Sequence, residues 1–137
     1  MKRERYDEIK EKYAQLNLAV VGDFCLDRYL EINPNLKEKS IETGLPVNNV
    51  SNIRAQPGGA GTVAANLGKL GVGNIEAIGF CGDDGEGFEL KRALKNISGI
   101  NLSNFFCFEH RNTFTYCKPL VIAGNKHREL SRLDTKN

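Results

Sequence analysis

No apolar run in the sequence approaches the ~20 residues needed to span a bilayer as a helix. The first residues, MKRERYDEIKEKY, also lack the uninterrupted apolar core of a secretory signal. The expectation is a cytoplasmic protein with no membrane partner. Nor is there a large excess of one charge: 19 Lys and Arg stand against 17 Asp and Glu, a net +2, too weak a field to imply nucleic acid. The four cysteines, Cys25, Cys81, Cys107 and Cys117, form no C-x-x-C and lie in or beside apolar segments, which predicts reduced, buried thiols. Neither His110 nor His127 adds a metal-ligand spacing, so no metal site is expected. Internal repeats and low-complexity tracts are missing as well. What remains is 137 residues of globular composition, 40% hydrophobic and 26% charged, the size of one ordinary domain.

The chain alternates helical and strand-like patterns. Tyr6, Ile9, Tyr13 and Leu16 recur at steps of 3, 4 and 3 within residues 2–16, one face of a helix. Leu18-Ala19-Val20-Val21-Gly22 is short, apolar and partly β-branched, and predicts a strand buried on both faces. From Tyr29 to Gln56 the pattern turns polar and irregular, punctuated by Pro34, Gly44 and Pro46, as in an excursion from the main sheet. Ala64, Leu67 and Leu70 then form a helical stripe ended by Gly71. Ile75–Cys81 predicts a second buried strand, and Leu90, Ala93, Leu94 and Ile97 a helix stopped near Gly99. Residues 105–108 and 113–121 follow as strands. This order implies an α/β fold of βαβ units with a mostly parallel sheet and helices on both faces.

Several local features carry chemistry. Pro57-Gly58-Gly59-Ala60-Gly61 opens a helix, and glycines there let a ligand approach free backbone N–H groups. A turn needed only for tight packing has the same composition. Gly59 to Ala64 matches the G-x-G-x-x-A of dinucleotide folds, except that Arg54-Ala55-Gln56-Pro57 stands where a buried strand should lead in. A P-loop is excluded, because six residues separate Gly61 from Gly68 and Leu70 supplies no hydroxyl for Mg²⁺. Asp23 and Asp27 fall at or just past the end of the first strand, where ligands of open α/β sheets bind. A carboxylate there accepts hydrogen bonds from two sugar hydroxyls, or alternatively tightens the turn. Gly82-Asp83-Asp84-Gly85 reads as a helix start rather than a metal loop. Phe105, Phe106, Phe108 and Phe114 are expected in the core rather than on a base-stacking surface. Lys118, Lys126, His127, Arg128 and Arg132 are a mixed-charge face able to meet an anionic group.

Taken together, VVGDFCLDRY, ETGLPV, PGGAGTVAANLGKLG, GFCGDDGEG, TYCKPL and SRLD resemble the ribokinase-like sugar kinases. The likeness is greatest to the branch that holds the kinase of ADP-heptose synthesis. These blocks extend from about Leu18 to near the end of the chain. The resemblance implies a Rossmann-type parallel sheet plus a small β-lid, with the lid drawn from about residues 29–56 and 113–134 and often used for dimer contacts. It implies that Asp27 and the polar Asp23 hold sugar hydroxyls, and that Gly58 and Gly59 pack against the sugar. Thr62 stands where the family usually has an Asn, and the segment at Val72-Gly73-Asn74 is one residue longer. Lys118 joins the expected substrate-binding set.

Family members continue for about as much chain again, and that part carries the anion hole, the catalytic Asp base and the nucleotide pocket. Residues 1–137 therefore correspond to the N-terminal portion of one kinase domain, incomplete at its C-terminus. ATP and Mg²⁺ are implied for the whole enzyme, with no catalytic residue, cofactor site or metal site expected here. The partner expected is a sugar or sugar phosphate, with the chain inactive alone. The competing readings are a non-catalytic sugar-binding module at the same residues and a dinucleotide-binding protein using Gly59 to Ala64.

Overall fold

A computed structural model describes residues 2–124 and 126–137. Along the chain run α1 (Arg3–Glu11), a 3-10 turn (Lys12–Gln15), β1 (Asn17–Val21), β2 (Phe24–Lys39), β3 (Pro46–Gly59), α2 (Ala60–Leu70), β4 (Asn74–Gly82) and α3 (Gly85–Lys95). Five further strands follow: β5 (Ile100–Asn101), β6 (Phe105–Phe108), β7 (Thr115–Ala123), β8 (Lys126–Glu129) and β9 (Leu133–Thr135).

Two sheets result. In the first, β1, β5 and β6 all pair parallel with β4, as the alternating strand and helix pattern requires. In the second the order is β3-β2-β7-β8, with β9 also on β7; β2 pairs antiparallel with β3 and parallel with β7. The polar excursion is thus two long strands joined by a turn in which the Gly44 N–H donates to the Ser40 carbonyl. Its irregular look comes from register shifts between Glu31 and Ile32 and between Ile32 and Lys37, which break the two-residue alternation.

Helix ends follow their local chemistry. Gly71, at φ +87°, closes α2 in the left-handed conformation that glycine adopts without a Cβ penalty. Asp84 caps α3 by accepting from the Gly87 N–H at 2.7 Å. The same carboxylate accepts from the Thr113 N–H at 2.8 Å and its hydroxyl at 2.7 Å. The Thr113 hydroxyl oxygen in turn accepts from the Gly82 N–H. One turn therefore ties the ends of β4, α3 and the segment entering β7.

The core joins Val20, Ile75 and Ala77 of the parallel sheet to Ala64 of α2, Leu90 and Leu94 of α3, and Phe24 and Leu26 at the start of β2. Phe24 meets Phe105 edge to face at 5.2 Å, and Gly79 makes room for its ring, since a Cβ there would lie 2.6 Å from it. Arg28 ties β2 to α3 by lying 3.5 Å from both Glu86 and Glu89.

Three expectations are corrected. β1 is buried on one face only: Val20 is enclosed, whereas Val21, pointing the other way, is 72% exposed because α2 and α3 pack on the Val20 side. Phe106 and Phe108 project from β6 half exposed, stacked on each other at 6.4 Å, instead of entering the core. All four cysteines are free, but only Cys25 and Cys81 are buried; Cys107 is exposed and Cys117 half-buried. No helix among the described residues is long and apolar enough to cross a membrane.

Candidate functional site

Side chains alternate across a strand, so Leu26, Arg28 and Leu30 of β2 face the core and α3, while Cys25, Asp27, Tyr29 and Glu31 share the opposite face. Register decides what they meet. Across β3 lie Gly58, Gln56, Arg54 and Asn52; across β7, Tyr116 sits beside Asp27 and Lys118 beside Tyr29. The outcome is a polar ladder on an otherwise aromatic surface.

At its centre the Lys118 ammonium lies 2.5 Å from the Asp27 carboxylate and donates to the Tyr29 hydroxyl at 3.4 Å. Both side chains of the ion pair are largely enclosed, 16% exposed for Asp27 and 17% for Lys118. Burial pushes the Lys118 ammonium down, but its hydrogen bonds to Asp27 and Tyr29 outweigh that and raise it above the ordinary lysine value. Lys118 and Arg54 also pack over the Tyr29 ring at 4.9 and 4.7 Å. Arg54 and Asn52 donate to Glu31 at 2.7 and 2.9 Å and hold its carboxyl below the usual range, the Asn52 bond being the larger cause.

Beneath the pair lies Gly58, where a Cβ would come 2.6 Å from the Cys25 sulfur and 2.7 Å from an Asp27 oxygen, so only glycine leaves room. Gly59 has φ +58° and backs onto the Asp23 carbonyl, which accepts the Ala60 N–H at 2.9 Å. Beside them opens a cleft of about 220 Å³ lined by Asp23, Cys25, Gly59, Phe114, Tyr116 and Lys136. Burial, reinforced by Asp27, raises the Cys25 thiol, which keeps it protonated at the cleft edge. A larger cavity, about 490 Å³, lies at the far end of β2 between Ile32, Pro34, Val47, Val121 and Arg128. It holds no convergent carboxylates, so size alone is a poor guide here.

The structure therefore puts Asp23 and Gly59 in the cleft lining, with Asp27, Gly58 and Lys118 clustered behind it through Cys25. Thr62 lies apart from its lining, exposed on the first turn of α2 with its hydroxyl donating to the Pro57 carbonyl. Tyr29, Arg54, Tyr116 and Lys136 belong to the same surface and escaped the sequence reading. Alternation from Asp27 would have found Tyr29, had β2 been extended through the excursion.

Among the described residues no three His, Cys, Asp or Glu converge as metal ligands, and the Ala60 N–H at the start of α2 donates to the Asp23 carbonyl. The dinucleotide reading meets a further difficulty. A strand does lead directly into Gly59 to Ala64, but β3 is antiparallel to β2 and largely exposed, not the buried parallel strand that motif requires.

No model of a known protein family matches the chain. It is 38% identical over 123 residues to the Bifunctional protein HldE of Coxiella burnetii, covering 89% of this chain and 24% of that protein. The chain is similar in sequence to part of the HldE proteins and has the fold of the ribokinase-like sugar kinases. It is also 43% identical over 79 residues to an uncharacterized sugar kinase of Buchnera aphidicola, covering 58% of this chain and 24% of that one. The solved structure of Arabidopsis thaliana ribokinase complexed with ribose and ATP superposes with a TM-score of 0.62 at 21% identity, over 87% of this chain and 35% of that one. The chain thus spans about a quarter of the length of its curated relatives and about a third of that solved kinase.

Proposed function

We propose that residues 1–137 are the sugar-recognising portion of an ATP-dependent carbohydrate kinase, supplying the acceptor side of phosphoryl transfer to a sugar hydroxyl. The observation that carries this reading is Asp27, oriented by Lys118 and packed against the backbone of Gly58. A carboxylate so fixed accepts hydrogen bonds from two neighbouring hydroxyls of one sugar, which orients it without covalent chemistry. Gly58 and Gly59 admit the ring, Phe114 and Tyr116 give it an apolar wall, and Asp23 and Lys136 offer polar contacts at the rim. The ladder of Lys118 and Arg54 along Tyr29 is compatible with a phosphorylated sugar, as expected of the heptose-kinase branch.

Phosphoryl transfer also requires a positioned triphosphate, its Mg²⁺ and a base against the attacking hydroxyl. In the complete enzymes ATP with Mg²⁺ supplies the phosphoryl group. We place no base and no nucleotide pocket among the described residues, and this stretch alone should show no turnover. We assign the second sheet as the lid. Its apolar side chains Leu36, Ile41, Leu45, Val50 and Ile53 are exposed, which supports contact with a second copy through it. Light scattering on the chain should return twice the monomer mass.

Calorimetric titration with neutral sugars and sugar phosphates tests the central reading. Binding of one class, abolished by Asp27→Ala and unaffected by Lys69→Ala on the exposed side of α2, is the expected result. ATP-dependent phosphorylation by the purified chain would overturn the assignment of an acceptor side alone, and binding that survives Asp27→Ala would overturn the site.

A further inference from the structure

Cys81 on β4 and Cys107 on β6 occupy directly paired positions in neighbouring parallel strands. Their sulfurs are 3.9 Å apart, the Cys81 thiol donating towards Cys107. The two differ in access. Cys81 is 1% exposed in the core, whereas Cys107 is open to solvent. Around the Cys107 sulfur are the Lys91 ammonium at 3.5 Å, the Gly82 carbonyl at 3.4 Å and an Asp83 carboxylate oxygen at 3.8 Å. Among the described residues no other two cysteine sulfurs are in contact.

Paired strands hold their Cα atoms about 4.8 Å apart. A disulfide accepts Cα separations of about 4.4–6.8 Å, so the two sulfurs can meet by side-chain rotation with little backbone change. We propose that Cys81 and Cys107 are a peroxide-sensitive dithiol, in which Cys107 reacts first and Cys81 resolves it to an intrachain disulfide between β4 and β6.

The chemistry balances with one peroxide. The Cys107 sulfur attacks a peroxide oxygen as the O–O bond breaks; its thiol proton goes to the departing hydroxide, giving water and a sulfenic acid, with Lys91 placed to relay that proton. The Cys81 sulfur then attacks the Cys107 sulfur. The S–S bond forms as S–O breaks, and the hydroxyl leaves with the Cys81 proton as a second water. Two thiols are oxidised by two electrons and one peroxide is reduced to two waters. Burial, aided by Cys107 beside it, pushes the Cys81 thiol up to about 12, which disfavours it as the first attacker on peroxide and leaves that step to the exposed Cys107. Cys25 lacks this arrangement, being enclosed against Asp27 and Gly58.

The test treats the 137-residue chain with graded hydrogen peroxide, caps remaining thiols under denaturing conditions, and measures intact mass and unreduced peptide maps. The expected result is two capped thiols per chain instead of four, a linked Cys81–Cys107 peptide about 2 Da below the sum of its two thiol peptides and at least about tenfold above any other pairing, and full reversal by dithiothreitol. Cys25→Ser with Cys117→Ser should leave the link intact, and Cys81→Ser should leave a sulfenic acid on Cys107 that dimedone traps. A Cys107 driven to sulfinic acid while Cys81 stays free in the unsubstituted chain would overturn the proposal. So would a dominant link to Cys25, to Cys117 or between chains. If Cys81→Ser does not fold, the map of the unsubstituted chain decides alone.

Discussion

Replacing Asp84 should have an effect out of proportion to one exposed-looking turn. Its carboxylate accepts from the Gly87 N–H at 2.7 Å and from the Thr113 N–H and hydroxyl at 2.8 and 2.7 Å, and Thr113 is only 1% exposed. Asp84→Ala removes a helix cap, about 1 kcal/mol. It also leaves the Thr113 amide and hydroxyl proton without an acceptor, about 1–3 kcal/mol for a buried polar group. The loss should total about 2–4 kcal/mol, which at a urea dependence of about 2 kcal/mol per M lowers the unfolding midpoint by about 1–2 M. Acid adds a second signature. Burial alone would raise the Asp84 carboxyl, but its bonds from Thr113 and Gly87 hold it below the usual carboxylate value. A depressed carboxyl stabilises the fold above its unfolded pKa, about 3.9, and that contribution fades as pH falls through the folded value. The gap between the two proteins should therefore be full at pH 7 and narrow progressively below about pH 4. A midpoint within about 0.3 M of the unsubstituted chain at pH 7, or a gap independent of pH, would refute this account of the turn.

Gly58→Ala places a methyl 2.6 Å from the Cys25 sulfur and 2.7 Å from Asp27, so thermal denaturation should show a loss of about 1–3 kcal/mol and calorimetry at least about a tenfold loss of sugar affinity. Lys118→Met leaves Asp27 unpaired and should likewise weaken binding about tenfold or more. Because the folded Lys118 ammonium is raised, its stabilisation is complete below the unfolded pKa near 10.4 and is lost as pH climbs through the folded value. Melts above about pH 10 should accordingly decline more steeply in the unsubstituted chain than in Lys118→Met. Arg28→Met strands Glu86 and Glu89 beside β2 and should cost about 1–3 kcal/mol in urea titrations while leaving sugar affinity within about twofold, since Arg28 faces away from Asp27.

Local patterns sufficed for the elements whose ends carry their own chemistry. Gly71 and Asp84 mark helix boundaries through conformation and side-chain acceptors within a few residues, and the apolar runs at 75–81 and 105–108 are strands where expected. The long strands β2 and β3 were less legible, because the shifts around Ile32 scramble the alternation that would reveal a face. Asp27 and Gly58 were legible from the strand end and the glycine-rich turn, with the sugar-binding role supplied by motif resemblance. Their partner Lys118 lies 91 residues from Asp27, and no local rule anticipates that β2 and β7 pair in that register. Phe106 and Phe108 show the limit of hydrophobicity as a guide: it measures a preference for burial, and neighbouring chain must be there to satisfy it.

β2 begins among core side chains at Phe24 and continues as one strand to Lys39, a reach of about 50 Å. Asp27 and Cys25 sit at the anchored end, and the bulge after Glu31 lies farther out. A bulge adds local twist, so the direction of the outer arm is set beyond the cleft, and the register nearer the core fixes Asp27 against Gly58 independently of it.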